Sequence, residues 1–276
     1  MSKLNILILI VFFSIVSCNQ KNQNWEDDIT ISVSIVPYAD FTKRIVGNRA
    51  VVNTLIPPGS NVHSYEPKPK ELKNILDADI YFRVGKEFKL ESILLDKLKS
   101  NINKIVDCSE NINIIDRDPH FWLSTENAKI ITQTITDSLS FYYPQHKNYF
   151  NNNKSQFFNE IDSAVSIIKN VLEKKQEKTL FVYHPAWRYF VEEFGLIQIA
   201  IEREGKHPTA GDLKGFVESA KDKGANCIFF DPHFDTTAVS TVANPLNIKI
   251  VSINPLPENY TENLFDIANK LNECQK

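Results

Sequence analysis

Six histidines occur in the chain, and five of them, His63, His120, His184, His207 and His233, fall at or just beyond strand-like runs or in turns. Imidazole nitrogen suits borderline transition metals, and three or four such ligands gathered from separate loops make a zinc site. His63 follows the turn Pro57-Pro58-Gly59-Ser60, His120 lies in Asp118-Pro119-His120-Phe121-Trp122, and His184 directly follows the apolar run Leu180 to Tyr183. Spacings this long exclude a local zinc finger or an HExxH helix, so the ligands must converge from distant segments. In open α/β sheets, residues at the carboxyl ends of different strands meet in one crevice. His233, in Asp231-Pro232-His233-Phe234, also follows a strand end. His207 reads as peripheral, and His146, beside Pro144 and Lys147, as solvent-exposed.

A scaffold of alternating elements is required to bring these positions together. From Ile29 onward, β-branched runs alternate with helical patterns. Strands are expected near Ile29 to Ile35, Ala50 to Ile56, Ile80 to Val84 and Lys104 to Asp107. A helix is expected over Ser124 to Tyr142. A longer one is expected over 151–178, where Phe157, Ile161, Ala164, Ile168 and Val171 repeat at spacings of four and three. Strands resume at Leu180 to Tyr183, Ile197 to Ile201, Cys227 to Phe230 and Ile248 to Ile253. The fold class is therefore α/β: two similar lobes, each a small mostly parallel sheet flanked by helices, joined by one long linking helix. The lobes are expected over 29–150 and 179–276.

Composition narrows the function. The 276 residues are 42% hydrophobic and 24% charged, which excludes a disordered or multi-span membrane chain. The formal net charge of -3 offers no basic surplus for nucleic acid. With eight glycines and no GxGxxG or GxxxxGK[ST] stretch, the common phosphate-cradling loops are missing. Lys3 is followed by the apolar run Leu4 to Val16, too short to span a bilayer but suited to an export signal. That run ends at Ile15-Val16-Ser17-Cys18, which resembles the bacterial lipobox, with 1–17 as signal peptide, Cys18 as the lipidated residue and 18–28 as a polar tether. Cys108, Cys227 and Cys274 then remain in an oxidising compartment. A bridge between Cys227 and Cys274 would pin the C-terminus to a sheet; three free thiols are the alternative.

Several blocks together carry a resemblance. Ser34-Ile35-Val36-Pro37, Pro57-Pro58-Gly59 with His63-Ser64-Tyr65-Glu66-Pro67, and Ala78-Asp79-Ile80 resemble the opening of the zinc/manganese solute-binding proteins of bacterial ABC importers. Asp118-Pro119-His120-Phe121-Trp122-Leu123 and Tyr183-His184-Pro185-Ala186-Trp187 resemble the family's second and third ligand loops. Glu204-Gly205-Lys206, Asp231-Pro232-His233-Phe234 and Asn254-Pro255-Leu256 resemble later blocks, so the match runs from about Ile31 to the C-terminus. The resemblance implies two lobes with a metal in the cleft, His63, His120 and His184 as ligands, and delivery to an ABC permease by a lipid-anchored monomer. It also favours the Cys227–Cys274 bridge, since some zinc-binding members carry a comparable one. Many relatives have aspartate where Asn254 stands, and often glutamine where His233 stands. The fourth ligand is thus Asn254, His233, a carboxylate such as Asp231 or Glu204, or water.

Three neutral imidazoles favour Zn2+ over Mn2+, whose sites are usually richer in carboxylate oxygen. The histidine-rich loop that some zinc importers carry before the second ligand is absent, only Cys108 to Asp118 occupying that space. Two rival readings remain. An exported zinc hydrolase would need a general base set against a substrate, which nothing in the sequence supplies. A surface adhesin carrying the same fold is compatible with metal binding and would show an exposed apolar or aromatic patch outside the cleft.

Overall fold

The computed structural model describes residues 29–174, 178–202, 208–234 and 236–274. Cys18, Glu204 and His207 lie outside the described residues. The N-terminal half runs β1 (Ile29–Val33), α1 (Val36–Val46), β2 (Ala50–Thr54), α2 (Pro69–Leu76), β3 (Ile80–Arg83), α3 (Lys89–Leu98), β4 (Ile105–Asp107) and α4 (Thr125–Tyr142). The long helix α5 (Lys147–Glu173) crosses to the second half. That half runs β5 (Thr179–Val182), α6 (Arg188–Glu193), β6 (Ile197–Ala200), α7 (Ala210–Asp222), β7 (Cys227–Phe230), α8 (Thr236–Leu246), β8 (Lys249–Ser252) and α9 (Tyr260–Glu273).

Each half builds a four-stranded sheet, in the orders β2-β1-β3-β4 and β6-β5-β7-β8, and every pairing is parallel. The two orders are the same permutation, so the α/β class and the two-lobed design expected from the alternation are borne out. Strands of such sheets are covered on both faces by helices and read as apolar runs; Leu180, Phe181 and Val182 of β5 are all buried. In both lobes the carboxyl ends of the strands carry the loops that hold the histidines.

Local sequence accounts for the element ends. Pro37 starts α1, and Gly47 ends it at φ 62, donating its N–H to the Lys43 carbonyl. A Cβ at Gly47 would also collide with the Tyr149 hydroxyl, so both backbone and space require glycine there. Ser124 caps α4 by accepting from the Asn127 amide. Helix α5 begins at Lys147, four residues before the periodic stretch suggested, because the 3-10 turn Pro144–His146 sets its start. It buries Phe150, Phe157, Ile161, Ala164, Ile168 and Leu172, a stripe at helical spacing.

One contiguous core spans both lobes, from Ile31 and Phe82 through Trp122 and Phe157 to Phe190, Tyr260 and Ile267. Polar bolts reinforce it across the lobe boundary. Trp122 Nε1 donates to the Pro255 carbonyl at 2.8 Å, and the Tyr260 hydroxyl donates to the Trp122 carbonyl at 3.0 Å. The Glu193 carboxylate accepts from Ser124 Oγ and the Thr125 amide, both at 2.7 Å, placing negative charge at the N-terminus of α4, where the helix dipole favours it. Cys227 and Cys274 are joined by a disulfide that ties the end of α9 to β7, with Cα atoms 5.8 Å apart. Cys108 is a free, buried thiol. Among the described residues, no helix is long and apolar enough to cross a membrane.

Candidate metal centre

His63, His120 and His184 come together between the lobes. One ring nitrogen from each lies within 4.8 Å of the other two, and Nε2 of His63 is 3.2 Å from Nε2 of His184. Nitrogens bound tetrahedrally at 2.0–2.1 Å from zinc are about 3.3 Å apart, so His63 and His184 stand at ligand spacing, with a His120 nitrogen within 4.8 Å of both. Ring centroids confirm the cluster: 5.7 Å for His63 to His120, 4.8 Å for His63 to His184 and 5.3 Å for His120 to His184.

Carboxylates aim two of the rings. Asp118 Oδ1 accepts from both the His120 amide at 2.9 Å and its Nδ1 at 2.7 Å, the outcome of an Asp-Pro-His turn. Glu202 Oε2 lies 2.6 Å from His184 Nδ1. With Nδ1 donating to a carboxylate in each case, the lone pair is left on Nε2, which faces the cluster. The Tyr189 hydroxyl clamps the His120 loop, donating to the Asp118 carbonyl at 3.0 Å and accepting from the Ile115 amide at 2.9 Å. Phe234 stacks on His184 with centroids 5.2 Å apart.

Withdrawal from water lowers the His63 ring to about 4, with the neighbouring His184 and His120 rings adding to the effect. His63 is thus a neutral imidazole at neutral pH, with one ring nitrogen free of a proton, even though part of the residue is exposed; His120 and His184 are buried. A cavity of about 520 Å³ adjoins all three, walled on its far side by Asp116, Arg188 and Gln198. Arg188 of the second lobe pairs with Asp116 of the first at this mouth.

The remaining candidates sit elsewhere. His233 Nδ1 is 2.6 Å from Asp231 Oδ1, a second Asp-Pro-His turn of the same form. That hydrogen bond raises the His233 ring above the ordinary imidazole value, so it holds its proton more tightly than a good ligand should. Asn254 Oδ1 accepts from the Leu256 amide at 2.8 Å. Neither residue lines the cavity, and the cluster of His, Cys, Asp and Glu side chains at this place is the three histidines alone among the described residues. His146 lies in the turn before α5, remote from the cleft.

Sequence reasoning missed Glu202. The signal was the strand register: Val182 pairs with Ala200, and continuing two residues along each strand aligns His184 with Glu202, whose amide still donates to the Tyr183 carbonyl at 2.9 Å.

Two like parallel lobes closing three imidazoles between them define a two-lobed metal-binding solute receptor. The model of the family described as zinc-uptake complex component A, periplasmic, matches residues 31–274, and the chain belongs to that family, one of solute-binding components and not of enzymes. A Chlamydia muridarum protein named "Putative metal-binding protein" is 26% identical over 268 residues, covering 95% of this chain and 97% of that one. The zinc-binding lipoprotein AdcA of Streptococcus pneumoniae (strain R6) is 28% identical over 286 residues, covering 95% of this chain. The present chain spans 56% of AdcA's length. A crystal structure of ZnuA superposes with a TM-score of 0.85 at 29% identity, covering 91% of this chain and all of that one.

Proposed function

We propose that the chain captures zinc outside the cytoplasm through Nε2 of His63, His120 and His184 and hands it to an ABC-type permease, working as a monomer held to a membrane by lipid on Cys18. The observation that carries this reading is the 3.2 Å approach of Nε2 of His63 to Nε2 of His184, whose Nδ1 is held by Glu202 so that its lone pair faces His63. Such close nitrogens lacking a shared proton or ion repel, and a divalent cation resolves the repulsion. Three imidazole nitrogens with no carboxylate oxygen among the protein donors favour zinc over manganese. Water from the adjoining cavity completes the tetrahedron, since Asn254 and Asp231 already accept from their own turns. The names of the relatives, a zinc-binding lipoprotein among them, agree with this cargo and with the anchor.

Capture and release are local events in this design. The shared core and the bolts around Trp122 and Glu193 keep the lobes together, so the ion enters and leaves past the Arg188–Asp116 pair and the exposed His63, without a wide hinge motion. The test is a competition titration of the demetallated mature chain with zinc and manganese, read by metal analysis. One zinc per chain, not displaced by excess manganese, is expected; preferential retention of manganese would overturn the assignment of cargo.

A further inference from the structure

Parallel pairing puts every strand start of the first lobe on one pole: Ile29, Ala50, Ile80 and Ile105 open β1 to β4. The histidine cleft lies at the opposite ends of the same strands. At the strand-start pole the surface is unusually apolar, with Phe141 78%, Tyr142 37% and Ile105 36% exposed. The Phe141 and Tyr142 rings meet edge to face at 5.1 Å. Lys104 Nζ stands 4.9 Å from the centre of the Tyr142 ring, tying the end of α4 to the start of β4. Around this wedge, Lys43 and Lys97 occupy the last turns of α1 and α3, and Lys147 opens α5. Of the acidic side chains at this end, Asp77 pairs with Lys73, Asp79 accepts from the Thr30 amide, Asp137 accepts from Gln133, and Asp96 stands exposed beside Lys97. An exposed aromatic pair bordered by lysines, a patch outside the cleft of the kind the adhesin reading also called for, is a local feature that the core does not use.

We infer that, between dockings on the permease, this pole is a membrane-contact face, with Phe141 and Tyr142 inserted at the level of the lipid headgroups and the surrounding lysines over anionic phosphates. The inference rests on the proposed anchor at Cys18, and the position of that anchor selects a bilayer as the occupant. Ile29 is two strands from Ile105 in the sheet, about 10 Å at ordinary strand spacing. The ten residues 19–28 span at most about 35 Å when fully extended. The lipid and the wedge therefore address the same surface, and tethering over that distance holds the wedge at an effective concentration of order millimolar. A weak intrinsic affinity then suffices for contact. Aromatic rings with one polar edge, and lysines with long apolar stems, are the side chains that lie well in such an interface.

The test uses the mature chain from Cys18, made with and without its lipid, and vesicles of phosphatidylethanolamine and phosphatidylglycerol. Without lipid, the native chain is expected to co-sediment weakly with these vesicles, and the double variant Phe141→Ser, Tyr142→Ser to partition roughly tenfold less while binding zinc unchanged. Equal partitioning of the two would overturn the inference, as would loss of a chain dimer, seen by ultracentrifugation, as the only effect of the variant. Mass analysis for the acyl chains tests the anchor separately. On the lipidated chain, an environment-sensitive dye at Phe141→Cys is expected to shift to the blue on vesicles while one at Lys214→Cys does not. A floating, acylated protein whose dye at 141 stays solvated would refute the contact face and leave the anchor intact.

Discussion

Replacing Glu202 by alanine isolates what the carboxylate behind His184 does. The two side chains are 9% and 6% exposed and meet at 2.6 Å, so the bond is a short, water-excluded contact with an ionised acceptor. Bonds of that kind contribute about 1.5–3 kcal/mol, and each 1.4 kcal/mol is about a factor of ten in affinity. Two effects act in the same direction when it is lost: the ring can turn or change tautomer, and Nε2 becomes a poorer donor to the ion. Zinc affinity is therefore expected to fall roughly tenfold to a hundredfold in Glu202→Ala, measured by competition with a chelator of known strength. Glu202→Gln, which keeps an acceptor but not the charge, should fall in between. The apo chain has a second readout, because His184 Nδ1–H would be left buried without a partner at a cost of about 1–3 kcal/mol, lowering its melting temperature by a few degrees. Zinc affinity within twofold of native in a folded Glu202→Ala chain would refute the reasoning, and His184 would then be held by packing against Phe234 alone.

Three other outcomes follow from the same geometry. His63→Ala, His120→Ala and His184→Ala should each abolish tight zinc binding in equilibrium dialysis, whereas His146→Ala should leave it unchanged; retention in any of the first three would remove that residue from the ligand set. Glu91 is fully buried and accepts from the Val84 amide at 2.6 Å and the Gly85 amide at 2.9 Å, yet burial outweighs these donors and raises its carboxyl to about 7. A carboxyl raised in the folded state binds more protons there than in the unfolded chain, so its contribution is complete below about pH 4.5 and is lost as pH rises through about 7, up to about 3 kcal/mol. Glu91→Gln should flatten that slope, and parallel native and variant stability curves between pH 5 and 8 would contradict it. Cys227 and Cys274 close a loop of sequence separation 47, worth about 4 kcal/mol in the chain-entropy model; reduction should lower the urea midpoint accordingly, and no change would show that the unfolded chain is already constrained.

The difference between what sequence revealed and what it hid follows from how far apart the interacting residues are. His63, His120 and His184 were legible because each sits at the end of a β-branched run, and the ends of parallel strands converge whatever the details of packing. The Asp118 turn went unread although it is just as local, since an aspartate two residues before a histidine can reach both its amide and its Nδ1. Glu202 is different: its bond to His184 exists only because β5 and β6 pair in one register, Val182 with Ala200, and a slip of one residue would turn the carboxylate to the other face. The helix that joins the lobes shows the same division. Its apolar stripe predicted a long helix, but its first turn depends on Pro144 and on the fit of Tyr149 against Gly47, contacts that periodicity does not encode. Glu193, which anchors α4 from the opposite lobe, carries no local signature at all. The three clustered histidines are thus written at strand ends, while the Glu202 carboxylate and the bolts that hold the lobes together are written in pairings between strands and lobes.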